Sequence, residues 1–427
     1  MTMERGDMSN NDADCCADGH TGPALPLADA LARILSEVRP VGGAEMLAAR
    51  NALGRVLFAD VVSGIDVPSH TNSAMDGYAL GGADLAAGDE VRLSVIGTAA
   101  AGQPFNGEVT TGQCVRILTG ATIPPGTDSV VMQENVTREG DTAIIRAGQE
   151  PGQHVRQAGE DIAAGAVALH AGTRLLPAEL GLLASLGISE VSVRRRPRVA
   201  FFSTGDELRS VGQALGPGQI YDSNRYTIYG MLTRLGVETI DMGVVRDDLA
   251  DIESAFARAA AEADAVVTSG GVSVGDADYV KAILEKMGSV GFWKVAIKPG
   301  RPLAFGRIAD ALFFGLPGNP VSAMVTFYQL VQPALRAMAG MPDDGLPLTV
   351  TAVSEEALRK KPGRREFQRG VLTRDGEGRL AVRRAGFQGS GVLSSMNAAN
   401  CFIVLPEEAG PVSAGDTVTV QPFSAFV

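Results

Sequence analysis

Val199-Ala200-Phe201-Phe202-Ser203-Thr204-Gly205-Asp206-Glu207-Leu208 is the stretch on which the fold turns. A short apolar run stops at a small-residue turn, and a helical stretch follows over 223–235. The pattern then repeats. A strand is expected at 239–245, a helix at 249–263, and an apolar strand at 265–268 that ends in Ser269-Gly270-Gly271. A helix at 279–287, extended pieces through Phe305 and Phe314, and a helix over 320–339 complete the run. Strands alternating with helices predict a parallel sheet covered on both faces. Ligands of such sheets bind where the carboxyl ends of strands meet the next loops, and both glycine-rich strand ends lie there.

Upstream, residues 1–23 read as a polar, solvated tail. Leu27, Leu31, Ile34, Leu35 and Val38 recur at helical spacing, and a second short helix is expected over 45–53. Residues 61–78 look extended. Short apolar runs at 91–96, 114–118, 129–132 and 143–145, parted by Gly, Pro and Asn, predict a small all-β domain. A helix at 177–186 and a strand at 190–193 lead to Arg194-Arg195-Arg196-Pro197-Arg198, read as a solvated connector. After Met341 the alternation stops. Strands at 346–353, 370–372, 380–382, 402–405 and 417–420 suggest a second small β domain.

The 427 residues suit roughly two to four domains at about 100–200 residues each. Apolar residues make up 45%, enough for several cores, and the net charge is −12. Such acidity repels nucleic acid and anionic membrane surfaces, so neither is expected as a partner. Cys15, Cys16, Cys114 and Cys401 are too few for a disulfide framework. Cys15, Cys16 and His20 lie in the polar tail, which fixes no metal-binding geometry, and the histidines share no ligand spacing. No apolar segment has signal-peptide or membrane-span length, so the cytoplasm is the expected location.

The chemistry-bearing motifs cluster in the α/β region. In Thr204-Gly205-Asp206-Glu207-Leu208, two adjacent carboxylates at a strand end suit a hard cation such as Mg²⁺, or a plain turn. In Ser269-Gly270-Gly271-Val272-Ser273-Val274-Gly275-Asp276-Ala277-Asp278-Tyr279, glycines let the backbone approach a phosphate, while Asp276 and Asp278 imply helix capping or a bridging metal. It is not a P-loop, since no Gly-Lys-Ser/Thr follows. Lys294, Lys298 and Arg301 flank a Pro299-Gly300 turn, placed for a phosphate or a tetrahedral oxyanion, or forming ordinary surface charge. In Leu316-Pro317-Gly318-Asn319-Pro320, Asn319 fits an N-cap and Pro320 the first helical position, and the helix start can also hold an anion. Far upstream, Asn72-Ser73-Ala74-Met75-Asp76-Gly77-Tyr78-Ala79 reads as a shaped loop offering Asp76 as a carboxylate.

Taken together these motifs resemble the MoeA family of molybdopterin molybdenumtransferases, whose eukaryotic relative is the gephyrin E domain. Also matching are Arg116-Ile117-Leu118-Thr119-Gly120-Ala121, Val130-Val131-Met132-Gln133-Glu134 and Gly159-Glu160-Asp161-Ile162. The resemblance runs from about residue 25 to the C-terminus. It departs at His70-Thr71, where the family often has an aromatic–acid pair, and at Arg301, where it often has Lys.

The resemblance implies an elongated mixed domain from 24–63 and 161–195, with a β domain over 64–160 inserted in it. A three-layer α/β molybdopterin-binding domain over 196–345 and a small β-barrel over 346–427 would follow. It implies molybdenum insertion into adenylylated molybdopterin with release of AMP, in a homodimer with a shared active site. One chain would supply Glu207, Asp247, Asp278, Lys294 and Lys298, and its partner Asp76 and Thr119. Asp161 matches a further functional position, and Arg369 and Ser390 match substrate-binding positions of the last domain near the cleft. Mg²⁺ would be held by Glu207, Asp278 and Asp247. Ser269, Gly270, Gly271, Ser273, Lys294, Lys298, Arg301, Pro317 and Pro320 would bind pterin adenylate and molybdate. The molybdopterin adenylyltransferase is a candidate partner. Two alternatives are an adenylyltransferase-like enzyme and a gephyrin-like scaffold.

Overall fold

A computed structural model describes residues 24–85, 90–270, 283, 286–341 and 347–426. The tail at 1–23 and most of the helix expected over 279–287 fall outside the described residues, as do Gly271, Ser273, Asp276 and Asp278. The chain forms two compact units: residues up to Gly43 with Arg194–Val427, and Ala44–Val193.

The first unit is built on a six-stranded sheet ordered Glu238–Val245, Arg198–Thr204, Ala265–Ser269, Ala311–Leu316, Pro302–Ile308, Gly288–Lys294. The first four strands run parallel. The last two are antiparallel additions that the alternation of strand and helix did not reveal. They arise because Ala309-Asp310 closes a tight hairpin, with Ala309 at φ 49°.

Side chains alternate across this sheet. Val199, Phe201, Val267 and Phe314 face the helices Leu27–Glu37, Ser223–Leu235 and Pro320–Thr326. Ala200, Phe202, Val266 and Phe313 face the helix Leu249–Glu262. Phe256 of that helix meets Phe202 and Phe313 edge-on, with ring centroids at 5.2 and 5.5 Å. Each buried Phe contributes about 1.5–3 kcal/mol, against about 0–1 kcal/mol for an exposed ion pair such as Arg198–Glu238. The apolar layers therefore hold the sheet. Leu27–Glu37, grouped by resemblance with 24–63, gives Leu27, Ala30, Leu31 and Ile34 to this core.

The long helix expected over 320–339 is interrupted by a π segment, Phe327–Val331. Pro333 explains it: lacking an N–H and crowding the carbonyl four residues back, it forbids a regular α ladder there. The stretch 194–198 also differs from a solvated connector. Arg195 donates both guanidinium arms to Asp264 at 2.7 Å and its Nε to the Gly42 carbonyl at 2.8 Å.

Beyond the sheet, five strands close on themselves in the order Arg365–Arg374, Leu380–Arg384, Val350–Ser354, Thr417–Pro422, Cys401–Leu405. A short strand, Ile297–Lys298, joins this barrel parallel to Arg365–Glu366.

In the second unit, a six-stranded mixed sheet runs Ser129–Met132, Gly77–Leu80, Gln113–Ile117, Val91–Ala99, Thr142–Ile145, Val136–Glu139. Tyr78, Leu80, Leu93, Cys114 and Ile145 pack on one face, and Ala79, Val115, Ile117 and Val130 on the other. Val136–Glu139 escaped the sequence reading because its side chains are mostly exposed and polar. Residues 45–53 do not form the expected helix. Ala44–Ala48 is a strand paired with Glu190–Arg194, followed by a 3₁₀ turn at Ala49–Asn51. A partner far along the chain overrides local helical preference. Among the described residues no helix is long and apolar enough to cross a membrane.

Candidate functional site

In the unit Ala44–Val193, the structure joins two predicted residues directly. The Thr119 backbone N–H and hydroxyl both donate to Asp76 Oδ1, each at 2.7 Å. Strand pairing makes this meeting possible, since Gly77–Leu80 lies beside Gln113–Ile117 and each loop leaves at the same sheet edge. The Thr119 N–H, then its hydroxyl, hold the exposed Asp76 carboxyl below the usual carboxylate range, with Arg116 adding its charge.

Arg116, not singled out from sequence, stacks over Tyr78 at 5.3 Å and donates to the Gly77 carbonyl at 2.9 Å and to Gln133. Asp161 stands in a separate cleft of about 450 Å³ lined by Val67, Pro68, Arg156, Glu160 and Asp161. The pairing of Arg156 with Asn72 links that cleft to the Asp76 loop.

In the other unit, strand register brings most remaining candidates to one sheet edge. Ser203 pairs with Ser269, Ser269 with Leu316, and Lys294 with Pro302. The strand Gly288–Lys294 ends at the same edge as the parallel strands because two antiparallel reversals restore its direction. Thr204, Ser269, Pro317, Arg301 and Lys294 therefore line this edge in order. At ~4.8 Å between neighbouring strands, Thr204 and Lys294 lie about 19 Å apart along it.

At one end, Gly205 has φ 148° and sits beneath the Glu207 carboxylate; a Cβ there would lie 2.6 Å from Oε2. Asp247, exposed, follows the neighbouring strand Glu238–Val245. Among the described residues no three His, Cys, Asp or Glu side chains gather as a ready metal cage.

Gly270 occupies the middle. With φ +90°, it presses so close to the Thr204 carbonyl that a Cβ would lie 2.6 Å from that oxygen. Its N–H donates to the Leu316 carbonyl at 3.3 Å. Asn224, absent from the sequence candidates, fixes this region. Its Nδ2 donates to Ser269 Oγ and to the Gly318 carbonyl, both at 2.7 Å. Because a carbonyl can only accept, Gly318 sets the amide orientation. A signal existed: Asp222 caps the helix Ser223–Leu235, accepting from the Arg225 N–H at 3.0 Å, which places Asn224 in its first turn at the strand ends.

The helix start at Pro320 is narrower than the open anion site expected. Asn319 occupies the N-cap, but its side chain makes no capping bond. The Val321 N–H donates to the Ser390 carbonyl at 3.0 Å, which uses one helix-terminal donor and brings Ser390 to the edge. Arg369, expected to touch ligand, is 1% exposed. Its guanidinium donates to Ser395 Oγ at 3.1 Å and to the Phe387 and Gly389 carbonyls at 3.3 and 3.0 Å, so it braces the loop carrying Ser390. Burial pushes its pKa down to about 10.

At the cationic end, Lys294 and Arg301 bracket a turn in which the Val295 N–H donates to the Arg301 carbonyl at 2.8 Å. Lys298 projects from the same turn and lies 3.6 Å from Glu366.

Three family profiles match the chain: the MoeA N-terminal region (domain I and II) over 25–187, a "Probable molybdopterin binding domain" over 200–337, and the MoeA C-terminal region (domain IV) over 351–423. A molybdopterin molybdenumtransferase of Haemophilus influenzae is 48% identical over 94% of this chain and 99% of that protein. Gephyrin of Dictyostelium discoideum is 33% identical over 95% of this chain and 63% of that protein. The crystal structure of the molybdopterin biosynthesis moeA protein from Pyrococcus horikoshii superposes with a TM-score of 0.81 at 31% identity, covering 94% of this chain and all of that one.

Proposed function

The chain belongs to the MoeA family of molybdopterin molybdenumtransferases, and from that premise we propose that it inserts molybdenum into adenylylated molybdopterin and releases AMP. The observation that carries the proposal to particular residues is the separation along the sheet edge. The strand end at Thr204, beside the carboxylates, and the one at Lys294, among the cations, are four strand spacings apart, about 19 Å. A single small anion cannot touch both. An extended substrate with a pyrophosphate and a distant metal-accepting group can.

On this reading, the backbone at Ser269-Gly270 and the loop from Pro317 to Pro320 seat the phosphates; Gly271 and Ser273, outside the described residues, are proposed as further contacts. Ser390 lies beside it, supported by Arg369. Lys294, Lys298 and Arg301 receive molybdate and the pterin sulfurs, holding the reactants together and so raising their effective concentration. Glu207, Asp247 and Asp278 are the oxygen ligands proposed for Mg²⁺. A donor set this sparse suits an ion that keeps water and substrate phosphates among its ligands. When bound, the ion would neutralise the pyrophosphate and favour departure of AMP.

Asp76, Thr119 and Asp161 are proposed to act on the same substrate from a second copy of the chain in a homodimer. Mixing Asp76→Ala protein with Lys298→Ala protein should then restore up to about a quarter of the activity by subunit exchange, since random pairing makes half of the dimers mixed and leaves one intact site in each. A cytoplasmic setting goes with this reaction, and the molybdopterin adenylyltransferase is the proposed supplier of its substrate.

The direct test is incubation of purified protein with adenylylated molybdopterin and molybdate. Cofactor formation with matching AMP release is expected. Formation of the adenylate from ATP and molybdopterin without molybdate would instead indicate an adenylyltransferase. Normal molybdoenzyme activity in a deletion strain would indicate a scaffold.

A further inference from the structure

Glu366 stands in register with Lys298 where the strand Ile297–Lys298 joins the barrel. Its side chain is 8% exposed, whereas that of Lys298 is 53% exposed. Lys298 Nζ lies 3.6 Å from Glu366 Oε1, and Gln368 Nε2 donates to Glu366 Oε2 at 3.1 Å. The same Gln368 nitrogen donates to the Arg359 carbonyl at 3.0 Å, so the carboxylate is fixed from behind. Lys360, buried nearby, donates to the Lys361 carbonyl at 2.8 Å. Burial pushes the Lys360 ammonium below the usual lysine range, against the pull of Glu366.

A carboxylate buried at a strand junction is a poor device for stability, since its desolvation offsets most of the attraction it gains. Its value here is geometric. An ammonium carries three N–H donors. At 3.6 Å the contact with Glu366 is an ion pair, which restrains the tip of Lys298 and leaves its donors for solvent or ligand. We propose that Glu366 is a positioning residue for Lys298, anchoring the ammonium that receives molybdate and setting how strongly it attracts that oxyanion. The proposal rests on the reading of Lys298 given above.

The two effects of Glu366 have opposite signs. Its charge weakens the field that an incoming anion feels, and its geometry favours the productive placement. Glu366→Gln should therefore lower the molybdate half-saturation about threefold, the scale of removing one screened charge behind the lysine. It should also lower turnover per folded active site about tenfold, the scale of a misplaced reactant. A purely structural role would reduce the folded fraction and move neither constant.

The measurements are molybdate half-saturation and turnover for wild type, Glu366→Gln, Lys298→Ala and the double variant. In the Lys298→Ala background, Glu366→Gln should have no further effect on either constant. A full, independent effect there overturns the proposal, as does wild-type turnover or a raised half-saturation in Glu366→Gln alone. Unchanged half-saturation in Lys298→Ala would instead reject the role of Lys298 itself. If Glu366→Gln does not fold, Glu366→Asp serves, keeping the charge but shortening its reach. Turnover should fall with half-saturation unchanged, and wild-type turnover overturns the proposal.

Discussion

Thr119 gives two donors to one oxygen of Asp76, its backbone N–H and its hydroxyl, each at 2.7 Å. Both stabilise the charged carboxylate, so its pKa falls below the ordinary value. Thr119→Val removes the hydroxyl and keeps the N–H. The Asp76 pKa should rise part of the way back, as read by carbon NMR of the carboxyl. The folded pKa is the lower one, so the pair stabilises the protein above the ordinary Asp value and loses that contribution as pH falls through the lowered one. In Thr119→Val the loss should start at the same pH but be smaller and end at higher pH. An unmoved titration would show that the hydroxyl contributes nothing.

Asn224→Ala deletes both bonds that tie Ser269 and Gly318 to one amide. The orphaned Gly318 carbonyl and Ser269 hydroxyl should cost about 2–4 kcal/mol together in urea unfolding. Turnover should fall too, because two loops of the sheet edge lose their common anchor. A loss below about 0.5 kcal/mol, the range of an ordinary surface change, would refute this.

Gly270→Ala forces a Cβ to within 2.6 Å of the Thr204 carbonyl at φ +90°. The backbone must shift, at a cost of about 1–3 kcal/mol. Because the shift is at the proposed phosphate seat, half-saturation for the adenylylated pterin should rise more than that for molybdate. Equal rises in both would separate Gly270 from phosphate binding.

Burial pushes the thiols of Cys114 and Cys401 up to about 12. With Cys15→Ser and Cys16→Ser in place, iodoacetamide at pH 8 should leave both unlabelled until denaturant is added. Rapid native labelling of either would contradict the packing of the sheet or barrel that contains it.

The central sheet was legible because Val199–Phe202 and 265–267 are apolar at every position, as strands covered on both faces tend to be. The barrel strands showed through their short apolar cores, while Arg365-Glu366 at the start of one did not, being charged. Asp76 was offered by its loop and Thr119 by family likeness, and their contact depends on strand pairing that spacing alone does not give. Glu366 and Asn224 were missed for one reason: their partners lie far away in sequence. Arg369 was named from family likeness, and its burial was not legible, since a charged side chain carries no sign in the sequence that it will be buried.

Ile297–Lys298 is hydrogen-bonded to the barrel as an added strand, and the Arg365 N–H donates to the Ala296 carbonyl at 2.8 Å. The C-terminal module is thus stitched to the loop that presents Lys298. Trimming it away would leave that loop with orphaned backbone groups and an unsupported lysine. Grafting in a barrel from a distant relative would succeed only where the donor brings its own acidic residue at the seam.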